Sequence, residues 1–312
     1  MLKFIARRIT WTIPVILLVI LMTFFMMRLI KGNPFQVTER PVPPAIQRNL
    51  DRQFHLDQPW YIQYLYYVKG VFTADLGPSL VQRDRQVNDI IKEHFPLSLK
   101  LGGFAMLFAI VVGIPLGVIA ALKQNSIADY AVMTVVNSGY ALPNFLIATL
   151  LIYFFAVKWR EHTPFPTNGW GGPASWVLPT LALGHAPMTV LARIVRGSML
   201  ETLQQDYIRT AKAKGLRSHR VIGLHVLRNS LIPAVTAAAP LLGYLIAGSF
   251  IVETIFGLPG IGRYFVISVA SRDYSVTMGI TVLLSIIIIV ANLAVDILYG
   301  FLDPRTREVG AR

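Results

Sequence analysis

Runs of about twenty apolar residues recur along this chain, and each is long enough to cross the hydrocarbon core of a bilayer as a helix. They lie at about 9–30, 97–122, 131–157, 176–194, 231–252 and 276–301. A helix satisfies its own backbone polar groups, so such runs span a membrane without water. The fold expected is an all-α integral membrane protein with six transmembrane helices. Composition agrees: 54% of residues are hydrophobic and 14% charged, against about 25% charged in a soluble domain. The first run follows Lys3, Arg7 and Arg8, as a secretory leader would. A leader has a core of only about 7–15 apolar residues and a small-residue cleavage site. This run is longer and ends at Arg28-Leu-Ile-Lys31-Gly32, so it reads as a retained span.

Charge sets the expected orientation. Segment 193–230 holds eight Lys and Arg against Glu201 and Asp206, a net charge of +6 (8 against 2), whereas 253–275 is neutral, with two of each sign. The basic segment is therefore expected in the cytoplasm. Six crossings then place both termini inside, in agreement with the basic residues at 3–8 and with Arg305 and Arg307. The long polar segment 31–96 falls outside and is close to neutral. It reads as a small helical cap, with Ile46, Leu50 and Phe54 marking one amphipathic helix and Tyr61, Tyr64, Leu65 and Val68 another. The expected organisation is a span at 1–30, the cap at 31–96, a five-helix core at 97–302 containing the cytoplasmic loop 199–230, and a tail at 303–312. Pro179 and Pro187 predict a kink in the fourth span. The loop 163–173, rich in Pro, Gly and Trp, reads as an interfacial turn.

The stretch 206–233 is strongly basic yet helix-forming. Leu200, Leu203, Tyr207 and Ala211 recur at three- and four-residue steps, which predicts one apolar face, while Arg209 and Lys212 share another. Lys212, Lys214 and then Gly215 read as a helix C-terminus. Ser218 is expected to cap a second short helix carrying Val221, Leu224 and Leu227. A basic helix, a glycine and a second helix between two membrane spans suit a docking surface. Anchoring to anionic lipid is the alternative.

Several chemistries are excluded. The net charge of +13 comes from loops flanking apolar runs, which is a topology signal rather than a nucleic-acid site. There is no Cys, hence no disulfide, thiolate nucleophile or Cys-based metal site, and the six His residues are scattered. No metal site is expected. Gly257-Leu-Pro-Gly260-Ile-Gly262-Arg263 lacks the Lys-Ser/Thr end of a phosphate-binding loop. It reads as an external turn, and the chain is expected to hydrolyse no ATP. Asn292 and Asp296 share a face of the last span, where a carboxylate is a functional candidate. Asn137 and Asn144 around Pro143, His185 and Ser249 are candidates for lining a hydrated path or for helix packing.

At 206–233 the chain resembles the permease subunits of ABC importers, whose cytoplasmic signature is Glu-Ala-Ala-x-x-x-Gly. Arg209-Thr210-Ala211-Lys-Ala-Lys-Gly215 occupies that place here. Arg and Thr replace the Glu and the first Ala, and Pro233 lies farther from the glycine than in the general pattern. Both departures look like those of the peptide and nickel branch. Phe24-Phe-Met-Met-Arg28, Val118-Ile-Ala-Ala-Leu-Lys-Gln124, Arg193-Ile-Val-Arg-Gly-Ser-Met199, Glu253-Thr-Ile-Phe-Gly-Leu-Pro-Gly-Ile-Gly262, Arg272-Asp-Tyr-Ser275 and Leu302-Asp-Pro-Arg305 are similar to B-type permease subunits of bacterial oligopeptide importers.

The resemblance implies a type I ABC importer permease fold in the inner membrane, with no cofactor bound by this chain. It implies a second homologous permease subunit, two cytoplasmic ATPase subunits carrying ATP and Mg, and an extracytoplasmic peptide-binding protein. The ATPase-coupling residues it implies are Asp206, Tyr207, Arg209, Thr210, Ala211, Lys212, Gly215 and Leu216. The substrate expected is an oligopeptide; dipeptide, nickel or glutathione import are the alternatives within the class. A stand-alone proton-coupled carrier using Asp296 as relay is the alternative outside it.

Overall fold

The computed structural model describes residues 2–29, 48, 51, 52, 55–82, 84–159, 163–247 and 249–302. The expected helix marked by Ile46, Leu50 and Phe54 and the tail 303–312 lie outside the described residues, as does the side chain of Asp296. Among the described residues the regular structure is helical apart from one isolated bridge, Pro78 to Gln86. Five helices are long and apolar enough to cross a membrane, or six if one sharply bent pair counts as a single span. The chain divides into two compact units: Met1–Ser98 with Pro259–Ile289, and Leu99–Leu258 with Val290–Arg312.

In the first unit, helix α1 (Leu2–Leu29) supplies the span Thr10–Leu29. Helix α2 (Trp60–Thr73) packs along its C-terminal half. The Phe24 and Tyr64 rings are 5.7 Å apart, and the Tyr64 hydroxyl donates to the Leu17 carbonyl at 3.3 Å. Leu17 lies twelve residues from the end of α1. At about 1.5 Å per residue, the Tyr64 hydroxyl thus reaches about 18 Å along α1 from that end. The chain then reaches helix α3 (Val87–Phe108) through a loop anchored by Asp273. The Asp273 carboxylate accepts from the Ser79 hydroxyl and from the Leu80 N–H at 3.1 Å. It also caps the last helix by accepting from Val276 N at 3.3 Å. Val87, Ile90, Ile261, Val276 and Ile280 form the buried core of this unit.

In the second unit, α3 continues through a π-helical turn (Ala109–Gly113) into α4 (Ile114–Leu122). This long rod packs on α7 (Pro173–Leu203). Gly113 and Gly117, four apart, make the approach close: a Cβ at either would lie 2.5 Å from the carbonyl oxygen of Met188 or Ala192. Small residues on one face let membrane helices meet backbone to backbone. Pro179 and Pro187 lie inside α7, which stays helical through both and runs nine residues beyond the predicted span end at 194.

The third predicted span differs most. It is split into α5 (Ile127–Ala141) and α6 (Asn144–Ile152, then π-helical over Tyr153–Lys158), with a bend of 101°. Pro143 has no N–H to continue the ladder and disfavours helical backbone at the residue before it. Leu142 and Pro143 are accordingly extended, with ψ of 124° and 147°, and two such residues swing the chain aside. Past α7, the chain forms α8 (Asp206–Ala213) and then an apolar helical stretch from Ser218 to Ala247, with a further helix at Phe250–Ile255. The predicted second short helix is therefore the base of the fifth span. Ser218 is its first helical residue, with Arg217 in the cap position.

Candidate coupling loop and the polar seam above it

Helix α8 is eight residues long, with Asp206 in its first turn and Lys212 in its last, both favourable to the helix dipole. Its C-terminus closes as a Schellman motif: Gly215 N–H donates to the Lys212 carbonyl at 3.0 Å and Leu216 N–H to that of Ala211 at 3.3 Å. Gly215 adopts φ +77°, the left-handed geometry this closure requires. The glycine-terminated basic helix expected from the sequence is present.

Its buried face is not the one the periodicity predicts. The helix running from α7 breaks at Gln204 and Gln205, so Leu200 and Leu203 belong to α7 and are out of phase with α8. Ile208 and Ala211 are the buried residues of α8, while Tyr207 is exposed and its hydroxyl accepts from Asn229 Nδ2 at 2.9 Å. Ile208 points inward three residues ahead of Ala211, a spacing the sequence contained and the wrong phase concealed. Asp206, Arg209, Thr210, Lys212, Gly215 and Leu216 are exposed. Asp206 and Arg209 approach to 3.8 Å in full solvent exposure, a pairing of little energetic weight. The free surface is cationic: Arg209, Lys212, Lys214, Arg217 and Arg220 are all exposed.

After α8, Val221–Leu227 is π-helical, which places Val221 and Val226 inward and leaves Leu224 exposed by 65%. The predicted stripe of Val221, Leu224 and Leu227 assumed α-helical spacing. An i→i+5 turn rotates the buried face by an extra residue.

The connection to the span above is polar. Arg196, on α7, forms a bidentate ion pair with Asp129 near the start of α5, both N–O distances being 2.8 Å. Asp129 is 2% exposed and also accepts from Asn125 N–H at 3.0 Å. Ser126 caps α5 by accepting from Asp129 N–H at 3.3 Å. The Ser126-x-x-Asp129 spacing was a readable cap signal; its pairing with Arg196 was not. Further along α7, Thr189 donates to the Val136 carbonyl at 2.8 Å. His185 is buried with Nε2 3.2 Å from the Leu142 carbonyl and Nδ1 2.8 Å from that of Ala182. Leu142 is the residue where the span breaks, so His185 occupies the carbonyl that the break releases from the helix ladder.

The remaining path candidates are scattered. Asn137 is exposed, Asn144 half-buried, and Ser249 is buried and donates to the Glu253 carboxylate. Buried Glu253, quoted above only within a motif, is a further polar group in the helical part of this unit. Among the described residues no group of His, Asp or Glu is arranged to hold a metal.

A solved structure described as an amino acid ABC transporter with histidines superposes on 70% of this chain and 94% of its own, with a TM-score of 0.51 at 13% identity. That likeness shows a shared helical fold. Residues 113–308 match the model for the binding-protein-dependent transport system inner membrane component, and residues 1–102 match the N-terminal model of the same membrane component. The chain belongs to this family of transport-system inner membrane components. Among its relatives are the dipeptide transport system permease protein DppB of Bacillus subtilis, 45% identical over 98% of each chain, and the oligopeptide transport system permease protein OppB of Salmonella typhimurium, 43% identical over 98% of this chain and 100% of that one. DppB of Escherichia coli is 38% identical over 99% of each.

Proposed function

We propose that this chain is one permease subunit of a bacterial peptide importer, that it pairs in the inner membrane with a second, homologous permease, and that α8 is the helix on which a cytoplasmic ATPase subunit docks. The observation that carries this reading is α8 itself: a short cationic helix, closed sharply at Gly215 and standing between two apolar helices. Its outward residues are polar or charged while Ile208 and Ala211 lock it to its own chain, so a partner that moves α8 moves the helices it is joined to. ATP and Mg then belong to the partner subunits, and energy reaches this chain mechanically. Asp129–Arg196 and the contacts of His185 and Thr189 bind α5 and the break at Leu142 to α7, from which α8 emerges within three residues. A rotation delivered at α8 is thereby carried to the broken span as a rigid-body motion.

In this reading the bent pair α5–α6 crosses the membrane. The basic N-terminus and the basic segment 193–230 share one side only if an even number of crossings separates them, which requires the pair to count as one. Residues 31–96 and 253–275 then lie on the extracytoplasmic side, and the parts of them that α2 does not hold against the span are where an extracytoplasmic peptide-binding protein docks. Relatives named for dipeptide and for oligopeptide transport support a peptide cargo, with oligopeptides the first reading and dipeptides the second.

The test is affinity purification of the tagged chain in mild detergent, with uptake of labelled di-, tri- and pentapeptides measured in the same cells. A second permease and two ATPases are expected to accompany the wild-type chain, and Gly215→Asp is expected to lose the ATPases and uptake together. ATPases retained at full amount by Gly215→Asp, with uptake intact, would remove α8 as the docking helix. Uptake without any ATPase would bring forward the proton-coupled carrier with Asp296.

A further inference from the structure

The first unit contains a cavity of about 350 Å³ between α1, α2, the loop at 75–80 and the start of α9 (Tyr274–Leu302). That is within the size range of small-ligand sites. Its walls are of two kinds. Phe24, Met27 and Met278 are apolar and belong to membrane-spanning stretches. Arg28 and Asp75 bring opposite charges to the same cavity, and His55, stacked on Tyr66 at 4.6 Å, is also on its wall.

Two polar groups there are underused. The Tyr67 hydroxyl is buried, lines the cavity and has no hydrogen-bond partner among the described residues. A buried hydroxyl without a partner is costly. The Arg28 guanidinium donates to Gln63 Oε1 and lies 4.6 Å from the Phe24 ring centroid. A guanidinium carries five N–H donors in a fork matched to a phosphate, and among the described residues Gln63 is the acceptor it has.

The surroundings are apolar and outward-facing. Trp60, Tyr61, Leu65 and Phe72 of α2 are exposed by 49–62%, and Leu29 at the end of α1 by 79%. Lys69 is the sole charge in α2, and α2 is seated against the span by the Tyr64–Leu17 bond. Aromatic residues and one Arg at the end of a span are the composition of headgroup depth.

We propose that this cavity binds the headgroup of a zwitterionic phospholipid, with phosphatidylethanolamine as the fitting chemistry. Arg28 and the Tyr67 hydroxyl donate to the phosphodiester, Asp75 accepts from the ammonium, and the acyl chains leave along Phe24, Met27 and Met278. The exposed side of α2 lies in the same leaflet as an interfacial helix. A water-borne dipeptide has the same two charges, but it would leave the apolar walls and the exposed α2 face in water.

The experiment is native mass spectrometry of the full-length chain in mild detergent with whatever subunits accompany it. It is titrated in turn with phosphatidylethanolamine, phosphatidylglycerol, phosphoethanolamine and dialanine. One saturable phosphatidylethanolamine is expected, bound more tightly than phosphatidylglycerol. Tyr67→Phe is expected to weaken it about three- to tenfold, the weight of one hydrogen bond, without lowering the melting temperature of the lipid-depleted protein. Arg28→Gln is expected to weaken it more than tenfold, since a charge-assisted pair is lost. Unchanged affinity in both variants would overturn the site. Displacement by phosphoethanolamine at equal concentration would overturn the lipid as its source, and displacement by dialanine would make it a peptide site. None of these outcomes depends on whether α8 docks an ATPase.

Discussion

Asp129 and Asp273 are both 2% exposed and both sit at the start of a long helix, yet they are satisfied by different means. Asp129 faces a guanidinium 67 residues away in sequence, through two charge-assisted bonds, and joins α5 to α7. Asp273 takes a hydroxyl and main-chain N–H groups, and joins a loop to the start of α9. The first needs one particular partner in one particular place. The second uses donors that a helix N-terminus and a turn offer in any sequence. In the second unit, therefore, one ion pair with a particular partner fastens the start of α5 to α7, beside the bonds that Thr189 and His185 make further along. The fastening in the first unit is distributed and tolerant.

The largest effect expected on this contrast is at Asp129. Asp129→Ala leaves Arg196 unpaired, and breaking one side of a buried pair costs about 3–5 kcal/mol. Because the Arg196 side chain keeps 26% exposure, the low end, about 3 kcal/mol, is expected. It would appear as a loss of thermal stability and of uptake, with partial return in Asp129→Ala/Arg196→Met. A double variant no better than the single one would contradict the pairing. Asp273→Ala is expected to cost less, about 1–2 kcal/mol for a helix cap, and Asp273→Asn to recover most of it. If Asp273→Ala matched Asp129→Ala in unfolding measurements, the contrast between the two fastenings would collapse.

A comparably small effect on stability is expected at Gly215. A Cβ there meets nothing within 4 Å, so Gly215→Ala carries only the cost of left-handed backbone, about 1–2 kcal/mol. Its melting temperature should move little while ATPase recruitment falls. A recruitment defect no larger than the change in folded fraction would argue that Gly215 only ends a helix. Thr189→Val, which removes the bond to Val136, should cost about 1 kcal/mol and slow uptake without loss of ATPase binding.

Helix α8 was legible because its signals are local: Asp206 at the start, cations at the end, and a glycine where the left-handed turn falls. Its inward face was misread because the break at Gln204 and Gln205 has no Pro or Gly to announce it. The π-helical Val221–Leu227 misled in the same manner, since a periodicity template assumes 3.6 residues per turn and Leu224 was assigned inward on that basis. Pro143 was visible as an interruption, but a bend of 101° rather than a mild kink depended on two consecutive extended residues, and His185 reaches the carbonyl they release.

By itself the sequence determined which stretches are apolar enough to cross a bilayer, which basic segment lies between them, and where a glycine closes α8. Hydropathy and caps act over a turn or a span, within reach of a linear reading. Only the tertiary structure decided that Ile208 rather than Tyr207 faces inward, that Asp129 belongs to Arg196, and that α2 lies beside the span, with Tyr64 reaching Leu17. Those choices depend on contacts between residues tens of positions apart, and the identity of such a partner is written in no local pattern.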